Sequence, residues 1–183
     1  MAIDALTEIE FTRCNTDSEL LQILDLQRRN LPVSLSEDEK LKEGFVTVVH
    51  SFEILKEMSE TCAHIIAKYE NRVIAYALCM HPKFADRIEV LKPMFAEMEN
   101  LEPKIENYMA MGQICVEKAH RKKGVFRELY RTMKEFVIPE FSSIITEVDA
   151  ANQRSMAAHT NIGFEVLSDY IVDDVHWNII QLK

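Results

Sequence analysis

Glycine is scarce in this chain. Four glycines, Gly44, Gly112, Gly124 and Gly163, stand among 183 residues, where average usage would supply roughly 13. No two lie closer than 12 positions, so neither GxxxxGK[ST] nor GxGxxG can occur. A P-loop for ATP or GTP and the usual dinucleotide-binding turn are thereby excluded, and the GxSxG nucleophile elbow goes with them. Long apolar runs are missing too. The longest, Val73 to Met80, has eight residues, against about 20 for a membrane span. The four cysteines, Cys14, Cys62, Cys79 and Cys115, form no CxxC pair, and the six histidines show no HExxH. Reduced thiols and no metal site are the expectation. The first ten residues carry Asp4, Glu8 and Glu10 where a signal peptide has basic residues, so a cytoplasmic location without membrane attachment is expected.

What is present is apolar mass and a displaced charge. Hydrophobic residues make up 48% of the chain, enough for a core without staples, and the formal net charge is −9. Yet Lys118–Lys134 holds seven of the 21 basic residues and a single acid, Glu128. A solvated helix face is one reading of that run. A local anion site, in a protein whose remaining surface repels anions, is the other. Duplex binding spreads its basic residues more broadly, so no nucleic-acid partner is expected; a regulatory nucleic-acid binder would show steeply salt-dependent association.

Periodicity predicts alternating elements. Glu10–Cys14 reads as a strand, and Thr16-Asp-Ser-Glu19 as a capping box opening a helix with Leu20, Leu21 and Leu24 on one face. That helix should stop before Leu31-Pro32; residues 33–44 read as loop with a helical turn, Phe45–Val49 as extended and 52–60 as helix. Strands at 63–69 and 72–79 flank the turn Glu70-Asn71. Residues 83–105 read as an insertion with Ile88, Leu91, Phe95 and Met98 at helical spacing. A strand over Tyr108–Glu117 is followed by a helix with the stripe Phe126, Leu129, Tyr130, Met133 and Phe136. A strand at 143–148, a helix at 151–162 and strands at 164–172 and 175–182 about Asp173-Asp174 complete one α/β layered domain with parallel pairing.

The sharpest constellation is Ile114-Cys-Val-Glu-Lys-Ala-His-Arg-Lys-Lys-Gly-Val-Phe-Arg-Glu-Leu129. An apolar strand ends, basic residues follow, and one glycine sits where a helix begins. The first helical turn leaves about four N–H groups without partners, and the macrodipole adds about half a positive charge. A phosphate can accept those N–H bonds, and Gly124 lets the backbone approach it closely. Arg121, Lys122, Lys123 and Arg127 would hold such a ligand electrostatically.

Here the chain resembles the GNAT superfamily of acyl-CoA-dependent N-acetyltransferases. Their pyrophosphate loop reads [QR]-x-x-G-x-[GA], five positions after an aliphatic strand end. Val116 and Arg121-Lys-Lys-Gly124-Val-Phe126 fill that pattern, with Phe126 where the family prefers Gly or Ala. A second block, Asn152 followed eleven positions on by Gly163-Phe164, matches the later family signature. The resemblance covers residues 8–183. It implies a GNAT fold: a central mixed sheet of six to seven strands flanked by helices, splayed between the fourth and fifth strands. It also implies acetyl-CoA as cosubstrate and no metal. Ile114, Cys115 and Val116 would run beside the pantetheine, whose strand-like pairing falls to Ile114 and Val116. The amides of Arg121, Lys122, Lys123, Gly124, Val125, Phe126 and Arg127 would bind the pyrophosphate, and Asn152 would contact pantetheine or cap its helix.

The implied reaction is direct attack by a primary amine, on a small molecule or a peptide, within a ternary complex. His159 stands where many members carry the tyrosine that protonates the departing thiolate, and packing is its other reading. An alkyl ammonium has a pKa of about 10.4, so a base or water chain must remove its proton; Glu117, Glu147 and Asp149 lie on or beside the central strands and are the candidates. A catalytically silent acyl-CoA-binding module, serving as sensor or partner subunit, is the alternative. The 83–105 insertion would cover the acceptor pocket or form a homodimer contact.

Overall fold

The structure, a computed structural model, describes residues 6, 8–36, 46 and 48–183. Seven strands form one mixed sheet: β1 (Ile9–Arg13), β2 (Ile65–Tyr69), β3 (Arg72–Met80), β4 (Tyr108–Val116), β5 (Ser143–Asp149), β6 (Glu165–Val172) and β7 (Val175–Leu182). Their order is β1-β2-β3-β4-β5-β7-β6, with β4 and β5 parallel. The helices are α1 (Asp17–Arg29), α2 (Phe52–Thr61), α3 (Lys92–Asn100), α4 (Val125–Val137) and α5 (Gln153–Thr160). Among them none is long and apolar enough to cross a membrane. The expectation for 33–44 falls mostly outside the described residues, though Pro32–Ser34 makes a 3₁₀ turn; of Phe45–Val49, Val46 and residues 48–49 are described and lie in no strand.

Contacts divide the chain into two compact units, residues 1–79 with 113–133, and residues 80–112 with 134–183. In the first, the capping box forms: Thr16 Oγ1 accepts from the Glu19 amide at 3.1 Å, and Glu19 Oε2 accepts from the Thr16 amide at 3.2 Å. The buried face of α1 is Leu20, Ile23, Leu26 and Gln27, while Leu21 is 57% exposed. The predicted face of Leu20, Leu21 and Leu24 is thus rotated, because Ile23 and Leu26 continue the i, i+3 spacing from Leu20 and Leu21 does not. Glu70 and Asn71 both take positive φ, 50° and 61°, the geometry that a two-residue type I′ hairpin demands.

The same device recurs in the second unit, where Asp173 and Asp174 (φ 50° and 60°) join β6 to β7. The insertion becomes two 3₁₀ segments, Pro82–Arg87 and Glu89–Leu91, running into α3. Its large side chains turn inward: Phe84, Met94, Phe95 and Met98 are buried, and Phe95 stacks on Tyr108 with centroids 6.5 Å apart. Helix α5 ends in a Schellman pair. The Phe164 amide donates to the His159 carbonyl at 3.2 Å and the Gly163 amide to Thr160 at 3.0 Å. Gly163, at φ +102°, supplies the left-handed residue this cap requires.

The stripe of α4 also differs from the predicted one. Val125, Leu129, Tyr130, Met133 and Val137 are buried, whereas Phe126 is half-buried and Phe136 is 39% exposed. Beginning the period at Val125 rather than Phe126 closes it on Val137, and both phenylalanines move to the flanks.

Candidate active site

Strand β4 delivers the chain to the basic loop. Past its end, the Glu117 amide donates to the Ile74 carbonyl at 2.8 Å, and a short 3₁₀ turn, Lys118–His120, leads to Arg121. Lys122 then takes φ 62° and Gly124 φ +84°. Alternating left-handed residues turn successive amides toward one side, the arrangement that makes an anion-binding nest. The first α-helical bond of α4 runs from the Glu128 amide to the Gly124 carbonyl at 3.1 Å. The amides of Val125, Phe126 and Arg127 precede it, so helix geometry gives them no intrahelical acceptor. Lys122, Lys123, Gly124 and Arg127 are exposed around these amides. A Cβ at Gly124 would stand 3.1 Å from Leu6 Cδ1 on a backbone that L residues rarely adopt. Replacing Gly124 with Ala therefore costs about 1–2 kcal/mol of strain in the loop itself, and should lower the melting temperature by about 2–8 °C in calorimetry.

Arg121 is a brace of this loop. Its Nε donates to the Val116 carbonyl at 2.9 Å and Nη2 to Asn30 Oδ1 at 2.7 Å, tying the loop to the end of β4 and to the cap of α1. A cavity of about 430 Å³ adjoins it, lined by Arg28, Arg29, Asn30, Glu117, Lys118 and Arg121 among others. Ile114 and Val116 are half-buried on β4 and Cys115 is buried; burial pushes the Cys115 thiol up to about 12, so it stays protonated.

Glu117, a candidate base by position, is committed elsewhere. Arg72 grips it in a fork, Nη1 to Oε1 at 2.7 Å and Nη2 to Oε2 at 2.8 Å, and Arg29 adds a bond of 3.0 Å. These guanidiniums, Arg72 foremost, hold its carboxyl down at about 2. A carboxylate so stabilised has little affinity for an amine's proton. Its captors lie 45 and 88 positions away, and no local sequence signal announces them.

The second unit holds the other candidates. His159 is buried on α5, donates from Nδ1 to the Ser155 carbonyl at 2.8 Å, and meets Phe164 edge-on at 5.1 Å. Burial lowers its pKa to about 4, so it is neutral at pH 7 and holds no ready proton for a thiolate. Asn152 caps α5, its Oδ1 accepting from the Ser155 amide at 3.0 Å; of its two readings, the structure places the capping one on view. The β4–β5 ladder spans only Tyr108–Ala110 against Ser143–Ile145, and beyond it Thr146 Oγ1 donates to the Met111 carbonyl at 2.9 Å.

Glu147 differs from Glu117 in every respect. It lies past that short ladder on β5, has no guanidinium partner among the described residues, and accepts a short hydrogen bond from the Tyr170 hydroxyl of β6. Burial pushes its carboxyl up to about 7, with the Tyr170 bond working in the opposite direction. This is the value suited to a base that works near neutral pH. Tyr170 had no place in the sequence reading. The Asp173-Asp174 turn fixes Tyr170 opposite Trp177, but its meeting with Glu147 depends on β7 lying between β5 and β6. Among the described residues, no group of acids, histidines and cysteines is arranged to hold a metal ion.

The decisive observation is a family match: the model of the GNAT acetyltransferase family covers residues 20–164. The chain belongs to this family. No curated protein matches its sequence at a significant level. Solved GNAT structures share its fold at low identity. The ribosomal-protein-S18-alanine N-acetyltransferase of Escherichia coli is 13% identical with a TM-score of 0.62, covering 95% of this chain and 92% of its own. Arabidopsis thaliana Naa50, solved with the bisubstrate analogue CoA-Ac-MVNAL, is 12% identical with a TM-score of 0.61, covering 96% and 99%. Salmonella typhimurium yncA, solved with its cofactor acetyl-CoA, is 13% identical with a TM-score of 0.62, covering 96% and 94%. At such identities the likeness is one of fold.

Proposed function

We propose that this GNAT protein moves an acetyl group from acetyl-CoA to a primary amine, with the pyrophosphate on residues 121–127 and Glu147 as the base. The observation that carries the reading is the β4–loop–α4 junction. Left-handed Lys122 and Gly124, exposed lysines and three first-turn amides make a cradle that an added Cβ would spoil. Beyond the last β4–β5 pair, Ile114 and Val116 carry the main-chain groups that would meet the pantetheine. Val116 offers its carbonyl there with one lone pair already taken by Arg121.

Glu147 takes a proton from the ammonium, the freed amine attacks the thioester carbonyl, and the C–S bond breaks. The nitrogen gives up a second proton as the tetrahedral adduct collapses to the amide; of the two released protons one ends on the departing sulfur and the other passes to solvent, which returns Glu147 to its carboxylate. Since a thiol of this kind has a pKa near 8.5, thiolate departure needs no dedicated acid, and buried His159 is left as packing. Peptide N-termini join small amines as acceptors in this proposal, in keeping with the bisubstrate peptide bound by Naa50.

The silent-module alternative draws on the same burial of His159, since that position then lacks an acid. Acetyl-CoA stabilisation separates the readings from a protein without a CoA site. At a ligand concentration of 100 Kd the enzyme and the module both gain about 2.7 kcal/mol, whereas thiol release in the presence of amines marks the enzyme alone.

A further inference from the structure

We propose that Tyr170 is a positioning residue that aims Glu147 at the acceptor amine, an inference that rests on reading Glu147 as the base. The register shows why this tyrosine can do it. On one face of the β5–β7–β6 ribbon, Asp149, Trp177 and Tyr170 form one rung, and Glu147, Ile179 and Ser168 form the next. The Tyr170 hydroxyl reaches diagonally across β7 to Glu147 Oε2. A phenol spans that distance with two torsions, where a lysine or glutamine would need more and would hold the carboxylate less firmly.

The surroundings make the bond matter. On β7 the facing residues are Trp177 and Ile179, neither of which titrates in this range. On β6, Ser168 donates to Glu97 Oε1 of α3 at 2.9 Å. On β5, Asp149 Oδ1 accepts the Ala151 amide at 2.8 Å. The two charged residues these bonds bring to this face, Glu97 and Asp149, are both acids, so neither neutralises Glu147. Among the described residues, Tyr170 is the hydrogen-bond donor that serves its carboxylate. With Oε2 occupied, Oε1 is the atom left to accept a proton. When it does, Oε2 becomes the carbonyl oxygen of the acid and still accepts from Tyr170, so the group keeps its aim through both protonation states.

Loss of this donor removes a stabiliser of the ionised form, and the base then titrates at higher pH. The test is the pH profile of kcat/KM for the wild type, Tyr170→Phe and Glu147→Gln, with acetyl-CoA and either n-butylamine or a pentapeptide with a free N-terminus. Using the same acceptor throughout cancels its own titration. The expected result is a rising limb for the wild type that Tyr170→Phe moves upward by about one pH unit, costing about tenfold at pH 6.5 and only a few-fold above pH 8.5. Glu147→Gln loses on the order of a hundredfold at every pH. Placing ring-fluorinated tyrosine at position 170, a stronger donor of the same shape, moves the limb downward and serves if Tyr170→Phe does not fold. An unmoved limb in both Tyr170 variants, with Glu147→Gln inactive, overturns the role of Tyr170 and leaves Glu147 as the base. Full activity in Glu147→Gln, or no wild-type turnover of either acceptor, overturns the underlying reading and this inference with it.

Discussion

Between pH 6.5 and pH 4.5 the unfolding free energy of the protein falls by about 5 kcal/mol. Three histidines are buried as neutral imidazoles: His50, His64 and His159, each lowered by burial to about 4 from 6.5. Their hydrogen bonds fix them so. His64 accepts the Cys79 amide at Nδ1 (3.1 Å), which leaves Nε2 to donate to the Leu55 carbonyl at 3.0 Å. His50 Nδ1 accepts from Gln27 Nε2 at 2.8 Å. Neither acceptor nitrogen can take a proton without losing its donor. Because the folded values lie below the unfolded ones, the unfolded chain binds protons that the folded one refuses, and stability is lost as pH falls from 6.5 toward 4. Glu147 opposes this. Its folded value, raised to about 7 from 4.5, contributes stability that is present at low pH and lost as pH rises through 7. Three protons against one leave a net of roughly two, or about 3 kcal/mol per pH unit. Denaturant titrations across this range should show that slope. Glu147→Gln should steepen it by about half and His159→Gln reduce it by about half; a flat profile would refute the assignment of these histidines as buried and neutral.

Replacing Gln113 with Leu should lower the melting temperature by about 10 °C. Gln113 is the hub of a buried polar network in the first unit. Its Oε1 accepts from the Tyr76 hydroxyl at 2.6 Å and from Gln27 Nε2 at 2.8 Å, and its Nε2 donates to the Val48 carbonyl at 3.0 Å. Gln27 in turn accepts the His50 amide at 3.0 Å through Oε1. The network therefore fastens the stretch at 48–50 to α1 and β4. Leucine supplies similar volume and none of the bonds, leaving a buried hydroxyl and a carbonyl unsatisfied and an amide half-served. Each such group costs about 1–3 kcal/mol, together about 4 kcal/mol. For a chain of this length each kcal/mol moves the melting temperature by about 2–4 °C. A shift within about 2 °C in calorimetry would show that water or repacking replaces the network at little cost.

Local chemistry was legible in advance and long-range pairing was not. The Thr16–Glu19 capping box and both two-residue hairpin turns follow from neighbours within a few positions, and each is present in the structure. The basic loop that opens α4 is legible for the same reason, since strand end, basic run and Gly124 are contiguous. Helix phase was harder. Leu21 and Phe136 are as apolar as the residues that displaced them from the buried faces, and only tertiary packing chooses between adjacent stripes. The two carboxylates show the limit. Glu117 and Glu147 look alike as acids on or beside central strands, yet two distant guanidiniums hold one near 2, while burial, against the opposing pull of one phenol, carries the other to about 7.

The most direct test of the central claim couples two readouts in one reaction: purified protein with acetyl-CoA and a panel of primary amines and free-N-terminus peptides, followed for thiol release and for acetylated product. The account predicts one thiol released per amide formed with at least one acceptor, with release lost when the amine is omitted. Acetyl-CoA that stabilises the protein against heat while no amine in the panel is acetylated would contradict it, and would make this GNAT protein a binding module.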